Sequence, residues 1–145
     1  MAEKVIVRQN RLFETEILAQ DPHDPEAAEF EPVPAIHQLT PYGMLLAGLG
    51  SCTAIVLHTY TQYHDVPLEE VEITLSYDRV FADDCEGCEQ VEEYTEQINE
   101  EINLIGNLTS EDEKKLHAIS KRCPIHQMLL HGIEVKSQLV KYTGE

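Results

Sequence analysis

Residues 40–65 read TPYGMLLAGLGSCTAIVLHTYTQYHD, and this stretch decides the fold. It is the longest apolar run in the chain, it opens with Pro41 where a helix tolerates proline, and it ends at the Asp65, Val66, Pro67 break. The pattern predicts one long helix carrying a single thiol, Cys52, near its middle. Its first half is apolar all round, as in a helix enclosed by protein. Ala47 and Gly48, close before Cys52, keep that neighbourhood thin and leave room for something to approach the sulfur.

Working outward, 145 residues with 42% apolar content make one domain with a sizeable core. The opening MAEKVIVRQNRLFETE is charged and alternating and does not read as a secretory leader. The 40–65 helix comes nearest to a membrane span, but its glycines, hydroxyls, His58 and Gln62 suit a protein interior, so a soluble cytoplasmic protein with no membrane partner is expected. The net charge of −17 excludes a nucleic-acid partner, because phosphate binding needs clustered Lys and Arg. In such a chain the four cysteines, at 52, 85, 88 and 123, are expected to be reduced thiols with redox, catalytic or metal roles.

Upstream of the helix, residues 4–8 (KVIVR) and 12–19 (LFETEILA) predict two strands joined by a turn at Gln9 and Asn10. That hairpin carries Arg8 and Arg11, half of the chain's four arginines. Residues 20–39 hold four prolines and predict either an edge strand or an irregular surface cover. Downstream, residues 68–82 alternate, with Val71, Ile73, Leu75 and Tyr77 on one face. Residues 94–105 alternate again, so a second, antiparallel hairpin is expected, its tip holding Cys85 and Cys88. Thr109, with Asp112 three positions on, opens a helix that breaks at Cys123 and Pro124. A short helix from Pro124 to Gly132 and a final strand over residues 133–142 (IEVKSQLVKY) complete the prediction.

The thiols differ in what surrounds them. Cys123 sits at a predicted helix start beside Lys121 and Arg122, a setting that favours the thiolate. Cys52, inside a helix, gets no such help from its own backbone and needs a cation from elsewhere, for which Arg8 and Arg11 are the candidates. Cys85 and Cys88 form one CxxC, with five acidic residues between Asp83 and Glu92 that disfavour reactive thiolates. That pair fits a plain loop, an accessory metal site or a redox sensor.

The segment MLLAGLGSCTAIVLHTYTQYHDVPLEEVEITLSYDRV, followed later by ISKRCPIHQML, resembles the OsmC/Ohr family of thiol-dependent hydroperoxide reductases. The resemblance implies an α+β fold, an antiparallel sheet wrapped around central helices, in an intertwined homodimer with active sites at the subunit interface. It also implies that Cys52 is the peroxidatic cysteine, that Cys123 resolves its sulfenic acid to a disulfide, and that a dithiol or lipoylated protein restores both thiols. The substrate is then an organic hydroperoxide, and no cofactor is implied. An arginine from the first hairpin holds the thiolate in that family; Arg11 aligns best and Arg8 is the alternative. The founding members pair that arginine with a glutamate ten residues before the reactive cysteine, where this chain has Tyr42, so a hydroxyl donor replaces a charge and Glu14 or Glu16 would have to supply a carboxylate. The competing function is a non-catalytic OsmC-like protein that binds a small molecule or senses redox state.

Overall fold

The structure, a computed structural model, describes residues 3–21, 26, 28–81 and 94–141. Five strands form one sheet in the order β3-β2-β1-β4-β5, with antiparallel pairing throughout. β1 spans Glu3–Asn10 and alternates as a half-buried strand must: Val5, Val7 and Gln9 point into the protein, and Arg8 lies on the other face. The turn into β2 (Thr15–Ala19) comes later than the sequence suggested, over residues 11–14. Asn10 organises it: its Oδ1 accepts the amides of Leu12 and Glu14, each at 3.0 Å, and Phe13 adopts φ 64°. The proline-rich segment supplies β3 (Glu31–Pro32), a two-residue edge strand on β2.

α1 spans Pro41–Tyr63 with Thr40 as its cap, whose Oγ1 accepts the Gly43 amide at 3.1 Å and donates to Glu3 Oε1 at 2.7 Å. Leu46, Gly50, Thr53, Leu57 and Thr61 form a buried stripe at three- and four-residue spacing, and this stripe lies on β1 and β4. The helix is long and apolar enough to cross a bilayer, yet half of its apolar window is buried inside the fold. It is not enclosed all round, however. Leu45 and Ile55, on the side away from the buried stripe, are 40% and 46% exposed, so α1 keeps a second apolar face that this fold leaves partly uncovered.

Gly50, rather than Gly48, marks the close approach. A Cβ at Gly50 would meet Val7 Cγ2 at 2.7 Å, whereas one at Gly48 would meet nothing within 4 Å. β4 (Leu68–Phe81) and β5 (Tyr94–Gly106) form the predicted hairpin, with Leu75 opposite Glu100 and Tyr77 opposite Ile98. Its expected tip, with Cys85 and Cys88, lies outside the described residues. Val5, Val7, Leu46, Leu57, Ile73 and Leu75 are fully buried between helix and sheet, each removal from water contributing roughly 1.5–3 kcal/mol.

α2 (Ser110–Ser120) starts with a capping box, Thr109 and Asp112 each accepting the other's backbone amide. Leu116 and Ile119 turn inward against α1. A short turn leads to α3 (Pro124–His131), which ends at Gly132 with φ 79°. The predicted last strand is not formed among the described residues. Residues 133–141 carry no assigned structure, and Ile133, Val135, Leu139 and Val140 are 62–94% exposed, because a strand needs a neighbour for its backbone groups and here the segment pairs with none of the described strands.

Candidate functional site

The two predicted thiols meet. α1 presents Cys52 toward α3, and Cys123 occupies the cap position just before α3. Both are free; Cys52 is partly exposed and Cys123 is fully buried. Burial pushes the Cys52 thiol above the ordinary cysteine range, and the neighbouring Cys123 side chain adds to the rise. The Ile125 backbone amide, one of the unpaired donors at the start of α3, offsets part of it. So the start of α3 turns its helix-terminal polarity toward the sulfur of Cys52.

The arginines sit elsewhere in the chain. Arg8 lies on the outer face of the sheet, where its Nε donates to Glu72 Oε2 at 2.6 Å and Glu16 stands beside it in register on β2. Arg11 lies in the exposed turn after β1, its carbonyl accepting Gln62 Nε2 at 2.5 Å from the last turn of α1. Gln62 is ten residues past Cys52, which is about 15 Å of helix rise. Neither arginine appears among the groups acting on Cys52, which are Cys123 and Ile125. Glu14 is occupied by the Asn10 amide at 2.9 Å.

Between α1, α3 and the β4–β5 hairpin runs an open cavity of about 370 Å³, lined by residues one helical turn from each thiol rather than by the sulfurs themselves. Its floor is Leu45 and Leu49 of α1 and its wall Leu129 and Leu130 of α3, with Tyr42 and Tyr77 at one end and Glu100 and His126 also lining it. Leu49 lies one turn before Cys52, and His126 one turn after Cys123. Tyr42 stacks on Tyr77 with ring centroids 4.5 Å apart. Its hydroxyl accepts from Arg79 Nη2 at 3.4 Å; Arg79 Nε reaches the Tyr77 hydroxyl at 3.4 Å, and that hydroxyl donates to Glu96 Oε1 at 2.9 Å. The tyrosine that stands in place of a carboxylate thus does engage a guanidinium, that of Arg79.

Arg79 and Glu100 escaped the sequence reading, although each had a signal. Extending the β4 alternation two residues past Tyr77 puts Arg79 on the helix-facing side. The β5 row Ile98, Glu100, Ile102, Leu104 contains one carboxylate among aliphatic residues. Glu100 accepts from Thr53 Oγ1 at 3.3 Å, and Thr53 is the next residue after Cys52. Burial raises the Glu100 carboxyl above the ordinary range, while His126, Thr53 and His117 pull it back. Among the described residues no cluster of three or more His, Cys, Asp or Glu is arranged to hold a metal ion.

The cavity, the paired thiols and the helix-terminal amide together suit attack by a sulfur on a small apolar electrophile, followed by closure of a disulfide. Comparison with known proteins bears on this geometry. Residues 36–138 match the family described as OsmC-like protein. A solved structure of an OsmC-like hydroperoxide resistance protein from Jannaschia sp. CCS1 superposes with a TM-score of 0.59, covering 97% of this chain and 94% of that chain at 14% identity, a likeness of fold. Among curated proteins, no sequence matches.

Proposed function

The chain belongs to the OsmC-like protein family, and from that premise we propose that it is a cysteine-based peroxidase, reducing organic hydroperoxides to alcohols with an external dithiol or lipoylated protein as reductant. One observation carries the reading: a partly exposed thiol, Cys52, next to a buried second thiol, Cys123, with a largely apolar cavity one helical turn from each. The Cys52 thiolate attacks the terminal peroxide oxygen; the S–O bond forms as the O–O bond breaks, and the alcohol leaves. Cys123 then displaces water from the sulfenic acid to give a disulfide, which the reductant opens.

The activating cation enters from a second copy of the chain. Burial holds Cys52 toward its neutral form, and in its own chain Arg11 stands at the far end of α1. The same second copy covers the exposed face of Leu45 and Ile55 and pairs with the strand-patterned residues 133–141, whose apolar side chains are otherwise in water. Homodimer formation and activation of the site are one event in this reading.

The test follows peroxide consumption and intact mass with cumene hydroperoxide and dihydrolipoamide. Wild-type protein should turn over and lose two hydrogens per chain on oxidation. Cys52→Ser should be inert, and Cys123→Ser should accumulate a sulfenic acid that dimedone traps. Arg11→Ala should slow Cys52 oxidation without changing the dimer, and deletion of residues 133–145 should yield monomer by light scattering. Full turnover by Cys52→Ser would end the proposal. The raised Cys52 thiol also favours a second reading, a small-molecule-binding protein using the same cavity; tight binding of cumyl alcohol without peroxide turnover would select it.

A further inference from the structure

The alkoxide released by thiolate attack needs a proton, and the cavity one helical turn from Cys52 is walled mainly by leucines and tyrosines. Glu100 is placed to supply one. It is the single acidic residue at the inward positions of β5 from Ile98 to Leu104, with Leu75 opposite it on β4. It lines two cavities at once: the one a helical turn from the thiols, which also contains His126, and a second of about 350 Å³ containing Ile102, Leu104, Glu113 and His117. A carboxyl shared by an apolar chamber and a polar one can give a proton to the first and recover it from the second.

Every packed element contributes a group to this position. α1 brings Thr53, whose buried hydroxyl donates to Glu100 Oε2. α3 brings His126, and α2 brings His117 and, across the second cavity, Glu113. Glu96 is a second carboxylate lining the first cavity, but it accepts the Tyr77 hydroxyl at 2.9 Å. Tyr42 and Tyr77 close the far end of the first cavity. Burial favours the protonated carboxyl, and the two histidines and the Thr53 hydroxyl keep ionisation accessible, which is the balance a proton donor requires.

Resting on the peroxidase reading above, we propose that Glu100 is the general acid of the first half-reaction. As Cys52 sulfur bonds to the terminal peroxide oxygen, the O–O electron pair departs on the inner oxygen and takes the Glu100 proton. Alcohol leaves, Cys52 keeps the hydroxyl as sulfenic acid, and the Glu100 carboxylate is reprotonated from water through the cavity that holds His117.

Leaving-group chemistry tests this. Acetate leaves peracetic acid as a stable anion and needs no proton, whereas tert-butoxide must be protonated. Rapid mixing of reduced full-length protein with each oxidant, followed by quantification of Cys52 sulfenic acid and disulfide, gives two rates. Glu100→Gln keeps the shape but not the acid: the tert-butyl hydroperoxide rate should fall by about a hundredfold while the peracetic acid rate moves by less than about twofold. Glu100→Asp should recover part of the lost rate, and it provides the comparison should the glutamine variant fold poorly. Equal losses with both oxidants, or no loss with either, would overturn the assignment. A wild-type protein that reacts with tert-butyl hydroperoxide no faster than free cysteine would instead bring down the peroxidase reading and the role of Glu100 with it.

Discussion

Alanine placed at two glycines of α1, two residues apart, should move stability in opposite directions. At Gly50 the new Cβ would lie 2.7 Å from Val7 Cγ2, 2.8 Å from Leu75 Cδ1 and 3.1 Å from Val7 Cβ, against an ordinary contact that begins near 3.4 Å. Both neighbours are fully buried, and Val7 is β-branched with little rotamer freedom, so helix and sheet must part by a few tenths of an ångström. Overpacking of this kind costs about 2 kcal/mol, and the better helix propensity of alanine returns about 1 kcal/mol, for a net loss of about 1 kcal/mol. At Gly48 nothing lies within 4 Å, so only the propensity gain of about 1 kcal/mol remains. The variants should differ by about 2 kcal/mol, or roughly 6 °C in Tm for a chain of this size. Calorimetry under reducing conditions reads this directly. A Gly50→Ala protein that melts at or above wild type would refute the close packing of α1 on β1 and β4 that sets the depth of Cys52.

Three further outcomes follow from buried or capping groups. His58 is fully buried with Nε2 on the Gln9 carbonyl at 2.9 Å, and burial lowers its pKa, so the unfolded chain binds a proton that the folded one resists. Stability should therefore drop as pH falls below about 6.5, and urea midpoints for His58→Gln should show a smaller drop. Glu100 is the opposite case: its raised carboxyl pKa means that folding favours the protonated form, and stability is lost as pH rises through the folded-state value. Glu100→Gln should accordingly gain stability relative to wild type at pH 7 and lose that advantage near pH 4, as followed by thermal melts across the range. Thr109→Ala removes a cap whose Oγ1 accepts the Asp112 amide at 3.0 Å and should cost about 1 kcal/mol in urea denaturation.

What was legible in the sequence was local. Thr40 and Pro41 open α1, Thr109 and Asp112 open α2, and Pro124 and Gly132 bound α3, because caps and proline act within a turn of where they stand. The alternation of Val71, Ile73, Leu75 and Tyr77 announced β4 for the same reason. What escaped needed partners distant in the chain. Arg8, turned outward by the alternation of β1, is engaged there by Glu72, 64 residues on, and Tyr42 meets Arg79 across 37 residues. Composition made α1 look enclosed, yet it packs on the sheet, α2 and α3 while Leu45 and Ile55 stay 40% and 46% exposed. The 133–141 segment has the pattern of a strand but lacks a partner strand. Cys52 and Cys123 were paired through a motif resemblance rather than through any rule of spacing.

In the proposed cycle, the unequal depth of the two sulfurs fixes the regiochemistry of reduction. Cys123 is fully buried and Cys52 partly open, so once they are joined only the Cys52 side of the disulfide can be approached in line by an incoming thiolate. The mixed disulfide with the reductant must then form on Cys52, with Cys123 as the departing sulfur. On that proposal the sulfur that meets oxidant first is also the one that meets reductant first, and a single doorway serves both halves of the cycle.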